Sequence, residues 1–169
     1  MTRQRFLRLI NRPLYFQLFL LARLPAAWFM GIRLRRCDGL SSEVTLPFSW
    51  RSQNPFRSIY FAAQCAAGEL STGVLAMAAL QDRPPLSMLV ISLEAEFLKK
   101  ADQTLRFTCS DGPLIEAAIQ RALESRQPQV LVATATGCLP DGTEAARVRV
   151  TWSFKARMKS SKAAAEPPY

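Results

Sequence analysis

A single acid, Glu69, stands inside a stretch over 54–80 that is otherwise crowded with small residues: Ala62, Ala63, Ala66, Ala67, Gly68, Gly73 and Ala76. Its composition and spacing predict one long helix that other backbone approaches from several sides. A lone carboxylate in such surroundings is costly unless it has partners or a task. The chain contains no histidine. That removes Ser-His-Asp and Cys-His catalysis, imidazole metal sites and histidine general bases together. Proton chemistry falls to carboxylates, lysines, tyrosines or water, and Glu69 is the leading candidate.

With 169 residues, 49 % of them hydrophobic, the chain fits one domain able to bury a core without metal or disulfides. Cys37, Cys65, Cys109 and Cys138 are widely spread with no Cys-x-x-Cys pair. They read as reduced packing thiols of a cytoplasmic protein, with no metal site and no cofactor implied. The net charge of +9 is uneven, since Arg3, Arg5, Arg8, Arg12, Arg23, Arg33, Arg35 and Arg36 all precede the first acid, Asp38. Such a field favours anionic partners. Nucleic acid is disfavoured among them, because the aromatic residues sit in apolar stretches and no nucleic-acid module signature is present.

Residues 1–30 read as a helical extension whose greasiest part, 14–22, is cut short by Arg23 and Pro25, well below the roughly 20 apolar residues of a membrane span. The extension either lays its apolar face on the domain or makes peripheral contact with a membrane through an arginine-rich helix. Over 31–158 the apolar period is mostly two. Ile32 and Leu34, then Val44, Leu46 and Phe48, mark two strands before the long helix. Ile91 to Phe97 and Leu105 to Cys109 predict a hairpin turned around 100–102. Asp111 caps a shorter helix that ends before Pro128, and strands over 129–138 and 145–155 flank the turn at 140–143. The segment 159–169, rich in Ser, Ala, Lys and Pro, reads as a disordered tail. The sum is an α+β fold, with an antiparallel sheet wrapped around one long helix.

This order of elements, with 54–73 at its centre, resembles the hotdog fold of the thioesterase superfamily. The helix start is similar to the phenylacetate-pathway branch, whose motif runs Asn, five residues, His-Gly-Gly, six residues, then Asp or Glu. Asn54 and Glu69 match it in register, while Tyr60, Phe61 and Ala62 stand where the branch has His-Gly-Gly. The stretch 46–73, with Arg51, Asn54-Pro55-Phe56 and Ser58-Ile59-Tyr60, is closer still to a thioesterase-like group that carries a domain-of-unknown-function label.

The resemblance implies a homodimer or dimer of dimers that hydrolyses an acyl-CoA or acyl-carrier thioester. Backbone N–H groups of Tyr60, Phe61 and Ala62 would hold the oxyanion, and Glu69 would activate water or attack directly. Asn54 would orient the water, Thr72 would steady Glu69, and Arg51, Arg57, Lys99 and Lys100 would meet coenzyme A phosphates. Tyr60 and Glu69 lie about 14 Å apart along one helix. Two copies are therefore needed to make one site, with the acid supplied by the partner.

Plainer roles stand beside these. Asn54 before Pro55 is an ordinary helix cap, Glu69 pairs with an arginine or hydroxyls, Thr72 bonds its own helix, and the lysines solvate a strand end. The side chains of Phe61 and Ala62 narrow a pocket that glycine leaves open. A non-catalytic hotdog protein that binds an acyl chain or a protein partner is the alternative function.

Overall fold

The computed structural model describes residues 1–157; the expected tail over 159–169 lies outside the described residues. Period-two alternation becomes strand in six places: β1 (Arg33–Cys37), β2 (Ser42–Leu46), β3 (Leu86–Phe97), β4 (Leu105–Cys109), β5 (Gln129–Cys138) and β6 (Glu144–Ala156). They form one antiparallel sheet in the order β1-β2-β4-β5-β6-β3. The expected hairpin between β3 and β4 is therefore absent. β3 pairs with β6 at one edge, and β4 lies between β2 and β5. The link 98–104 is tied elsewhere: Leu98 and Lys99 N–H donate to the Ala145 carbonyl, and the Ala101 carbonyl accepts from Ile59 N–H. Alternation reports which face a residue occupies, not which strand lies beside it.

The sheet curls around α4 (Phe61–Ala79), whose hydrogen-bonded turns bury Ala67, Leu70, Val74, Leu75 and Ala78 against Val44, Leu105, Phe107, Val148 and Phe154. Small residues make this approach possible. A Cβ on Gly68 would stand 2.6 Å from Val148, so α4 touches β6 there through bare backbone. Ser42 Oγ donates to the Ser71 carbonyl at 2.6 Å, and Trp152 Nε1 donates to Thr72 Oγ1 at 2.9 Å. These bonds pair the buried polar groups of helix and sheet. The shorter helix, α5 (Gly112–Ser125), buries Ile115, Ala118, Ile119 and Ala122. Asp111 precedes it, but its carboxylate accepts from Thr134 N–H on β5 in place of capping the helix.

The long helix begins at Phe61, not at Asn54. Pro55 lacks an N–H and Arg57 adopts a left-handed φ of 56°, so 54–58 forms a tight loop instead of helical turns. Gln53 then bridges Ile59.

The N-terminal extension is three helices, α1 (Arg3–Ile10), α2 (Pro13–Arg23) and α3 (Pro25–Phe29), with Pro13 and Pro25 each opening a new helix at its first turn. Phe6, Ile10, Phe16 and Leu20 join the core. Arg3 and Arg83 both pair with Glu116 of α5, tying α1 to the body. No helix among the described residues is long and apolar enough to cross a membrane. All four cysteines are free, with Cys37 and Cys109 buried.

Candidate active site at the start of the central helix

The chain reaches α4 through a loop held by its own polar groups. Ser52 Oγ donates to the Pro47 carbonyl and accepts from Ser49 N–H. Asn54 Oδ1 accepts from Phe56 N–H and Ser58 N–H, and its Nδ2 donates to Ser58 Oγ. Asn54 therefore staples this loop and does not cap the helix. Its carboxamide is engaged within the loop, which leaves the water-orienting role without support in this geometry.

Tyr60 occupies the N-cap position of α4 without a side-chain cap. Its N–H donates to the Ser52 carbonyl at 2.7 Å and so is not open to an oxyanion. The N–H groups of Phe61 and Ala62 have no acceptor among the described residues, as expected for the first turn of a helix. Two donors thus remain, at the positive end of the helix dipole.

Beside them a cleft of about 340 Å³ is lined by Asn54, Ser58, Phe61, Gln64, Phe97, Lys99 and Lys100. The Phe61 ring packs edge-on against Tyr60 and Phe97, at 4.7 and 6.2 Å between the successive centroids, and forms one wall. Lys99 and Lys100 are exposed at the rim. Arg51 and Arg57 lie outside this cleft: the Arg51 guanidinium packs by Gly31 and Pro47, and Arg57 sits exposed on the loop. Gln64 is the residue the sequence reading passed over. It is 5 % exposed, its Nε2 donates to the Ile59 carbonyl, and its buried Oε1 has no partner. An amide in an otherwise apolar helical stretch was the available signal.

Glu69 is half-buried two turns further on, with no hydrogen bond or ion pair to its carboxylate among the described residues. Burial alone pushes its carboxyl above the ordinary value of 4.5. One oxygen lies 3.4 Å from where a Cβ on Gly73 would be, with the Trp152 ring alongside. The Thr72 hydroxyl donates to the Glu69 main-chain carbonyl and accepts from Trp152, so it does not steady the carboxylate. The acid sits in a stripe of α4 (Ala62, Ala66, Glu69 and Met77) that the sheet leaves partly uncovered. Next to the stripe runs edge strand β3. Leu93 and Phe97 share the inner face with their partners Val150 and Ala146, yet are 38 % and 46 % exposed.

Residues 14–154 match the family described as Domain of unknown function (DUF4442). The chain belongs to this family. That agrees with the domain-of-unknown-function grouping expected from 46–73. Among curated proteins none matches significantly.

Solved structures share the DUF4442 chain's architecture at low identity. A Shewanella oneidensis protein provisionally named a thioesterase superposes with a TM-score of 0.71 at 12 % identity, covering 89 % of this chain and 99 % of its own. A Pseudomonas aeruginosa protein of unknown function, described as a probable thioesterase, gives 0.67 at 15 %, covering 93 % and 97 %. A thioesterase from Haemophilus influenzae gives 0.65 at 16 %, covering 86 % and 92 %. The DUF4442 chain has the hotdog fold.

Proposed function

We propose that this protein hydrolyses acyl thioesters of coenzyme A or of a carrier protein, at a site built by two copies of the chain. The observation that carries the reading is a half-buried Glu69 that, among the described residues, has no partner, on a helix whose first two N–H groups also lack partners there. Eight residues separate Phe61 from Glu69, about 12 Å along the axis, so one copy does not bring both to one carbonyl. A second copy seated on the α4 stripe and the β3 edge would supply the acid. That seat is apolar, and β3 is an edge strand with no strand beside its outer backbone groups among the described residues.

In this arrangement the thioester carbonyl lies against Phe61 and Ala62 N–H. Glu69 of the partner takes a proton from water as the water oxygen bonds to the carbonyl carbon, and the N–H pair holds the resulting oxyanion. The C–S bond then breaks, and the leaving thiolate recovers the proton from Glu69. A carboxyl raised by burial is a better base than an exposed one. Gln64 Oε1 offers an acceptor to an amide N–H on the carrier arm, and Lys99 and Lys100 offer charge to phosphates. The three structural relatives bear thioesterase names, which supports the same reading.

The test is thiol release from a panel of acyl-CoAs of increasing chain length. Glu69→Ala is expected to lower the rate by about 10²- to 10⁴-fold with the fold intact. Equal rates in the two proteins would end the catalytic reading. A wild-type protein that releases no thiol but carries a co-purified acyl chain would establish the non-catalytic alternative.

A further inference from the structure

We propose that the N-terminal helical layer seats the protein on an anionic lipid surface. α2 presents two apolar faces, and the body takes only one. Phe16 and Leu20 are buried against it, while Leu14, Leu18 and Leu21 project on the opposite side at 74 %, 57 % and 46 % exposure. Spacings of four and three residues put these leucines in a single stripe. Tyr15, Leu24, Trp28 and Phe29 extend the exposed apolar surface along the chain, and Phe29 stacks edge-on against Trp50, which is 73 % exposed. Tyrosine and tryptophan are side chains of the water–lipid boundary, with an apolar body and a polar tip.

The charge carried by this layer and β1 is of one sign. No Asp or Glu occurs in residues 1–37. Arg5, Arg8, Arg12, Arg23 and Arg33 are exposed, and among the described residues none has a carboxylate within salt-bridge distance. A groove of about 360 Å³ brings the two chemistries together, with Leu14 and Phe16 on one side and Arg33 and Arg35 on the other. An acyl chain and an anionic headgroup make the same pair of demands. A second copy of the chain does not meet them, because a two-fold contact would set like charges against one another. With no helix among the described residues long and apolar enough to cross, the layer lies along the surface, leucines inward and guanidinium groups at headgroup depth.

The experiment is flotation of the full chain with vesicles of phosphatidylcholine alone and of phosphatidylcholine with phosphatidylglycerol, at low and high salt. Partition into the anionic vesicles is expected, with a blue shift of tryptophan emission and weakening by salt. The double variant Leu18→Glu, Leu21→Glu should partition roughly tenfold less or worse. Arg12→Gln with Arg23→Gln should weaken binding and flatten its salt dependence. Should the leucine pair melt early, Leu14→Gln gives the same reading from one highly exposed position.

Absence of partition into anionic vesicles overturns the proposal, as does equal partition of the leucine variants. Retention on polyglutamate without vesicle binding overturns it in favour of an acidic protein partner. A change of oligomeric mass in Leu18→Glu overturns it in favour of self-association. Thiol release by these variants on soluble acyl-CoA should stay at the wild-type rate, which separates this proposal from the catalytic one.

Discussion

Burial disfavours the ionised form of Glu69, which fixes the sign of its pH dependence. Burial raises its carboxyl in the folded chain, so between the ordinary value of 4.5 and the raised one the native state binds more protons than the unfolded state. Stability therefore falls as pH climbs through that window. Glu69→Gln is expected to melt above wild type near neutral pH, and the two curves should converge as pH drops below 4.5. Parallel curves across the whole range, followed by calorimetry, would contradict this account. The acid was legible because charge inside a small-residue helix is anomalous on sight. Asn54 was legible as a position but not as a role: its loop depends on Pro55 and on the left-handed Arg57, which place it six residues ahead of the N-cap Tyr60. The engagement of Tyr60 N–H by Ser52 is a long-range main-chain contact that no local pattern encodes.

At the level of elements, the decisive contact is α4 on β6. A Cβ on Gly68 would stand 2.6 Å from Val148, whose β-branched side chain has little freedom to move. Gly68→Ala should cost about 1–3 kcal/mol in urea denaturation through overpacking, although alanine is the better helix former. A neutral or stabilising result would mean that helix and strand separate without loss. Gly137 lies in the same way against the Phe107 ring, across the β4–β5 pair. The strands and helices themselves were readable from periodicity, down to β5 and the turn after it. Strand neighbours were not, since β3 and β4 are consecutive in the chain but separated in the sheet by β5 and β6. Likewise Pro13 and Pro25, each at a helix start, divide what periodicity reads as one N-terminal helix.

The whole molecule is lopsided in what it leaves uncovered. One flank shows the α4 stripe and β3, where Leu93 and Phe97 face inward without being covered. On the pairing proposed above, Leu93→Arg is expected to give a monomer by light scattering, with a native-like circular dichroism spectrum and loss of thiol release, because the acid of one copy would then no longer reach the helix start of another. A variant that remains dimeric would move the pairing seat away from β3. Outline and curvature of this body followed from the alternation of its strands; the open flank did not, because burial within one chain is invisible to a pattern that marks Leu93 and Val150 alike. Toward the opposite edge of the sheet, β1 and β4 bury two thiols. Burial pushes the Cys37 thiol up to about 11 and that of Cys109 up to about 12. Neither forms the reactive thiolate at physiological pH, so peroxides and electrophiles find no nucleophile there while the strands stay closed. Oxidative lesions at these two sulfurs would then record that the molecule had already come apart, a symptom of its failure and not the cause.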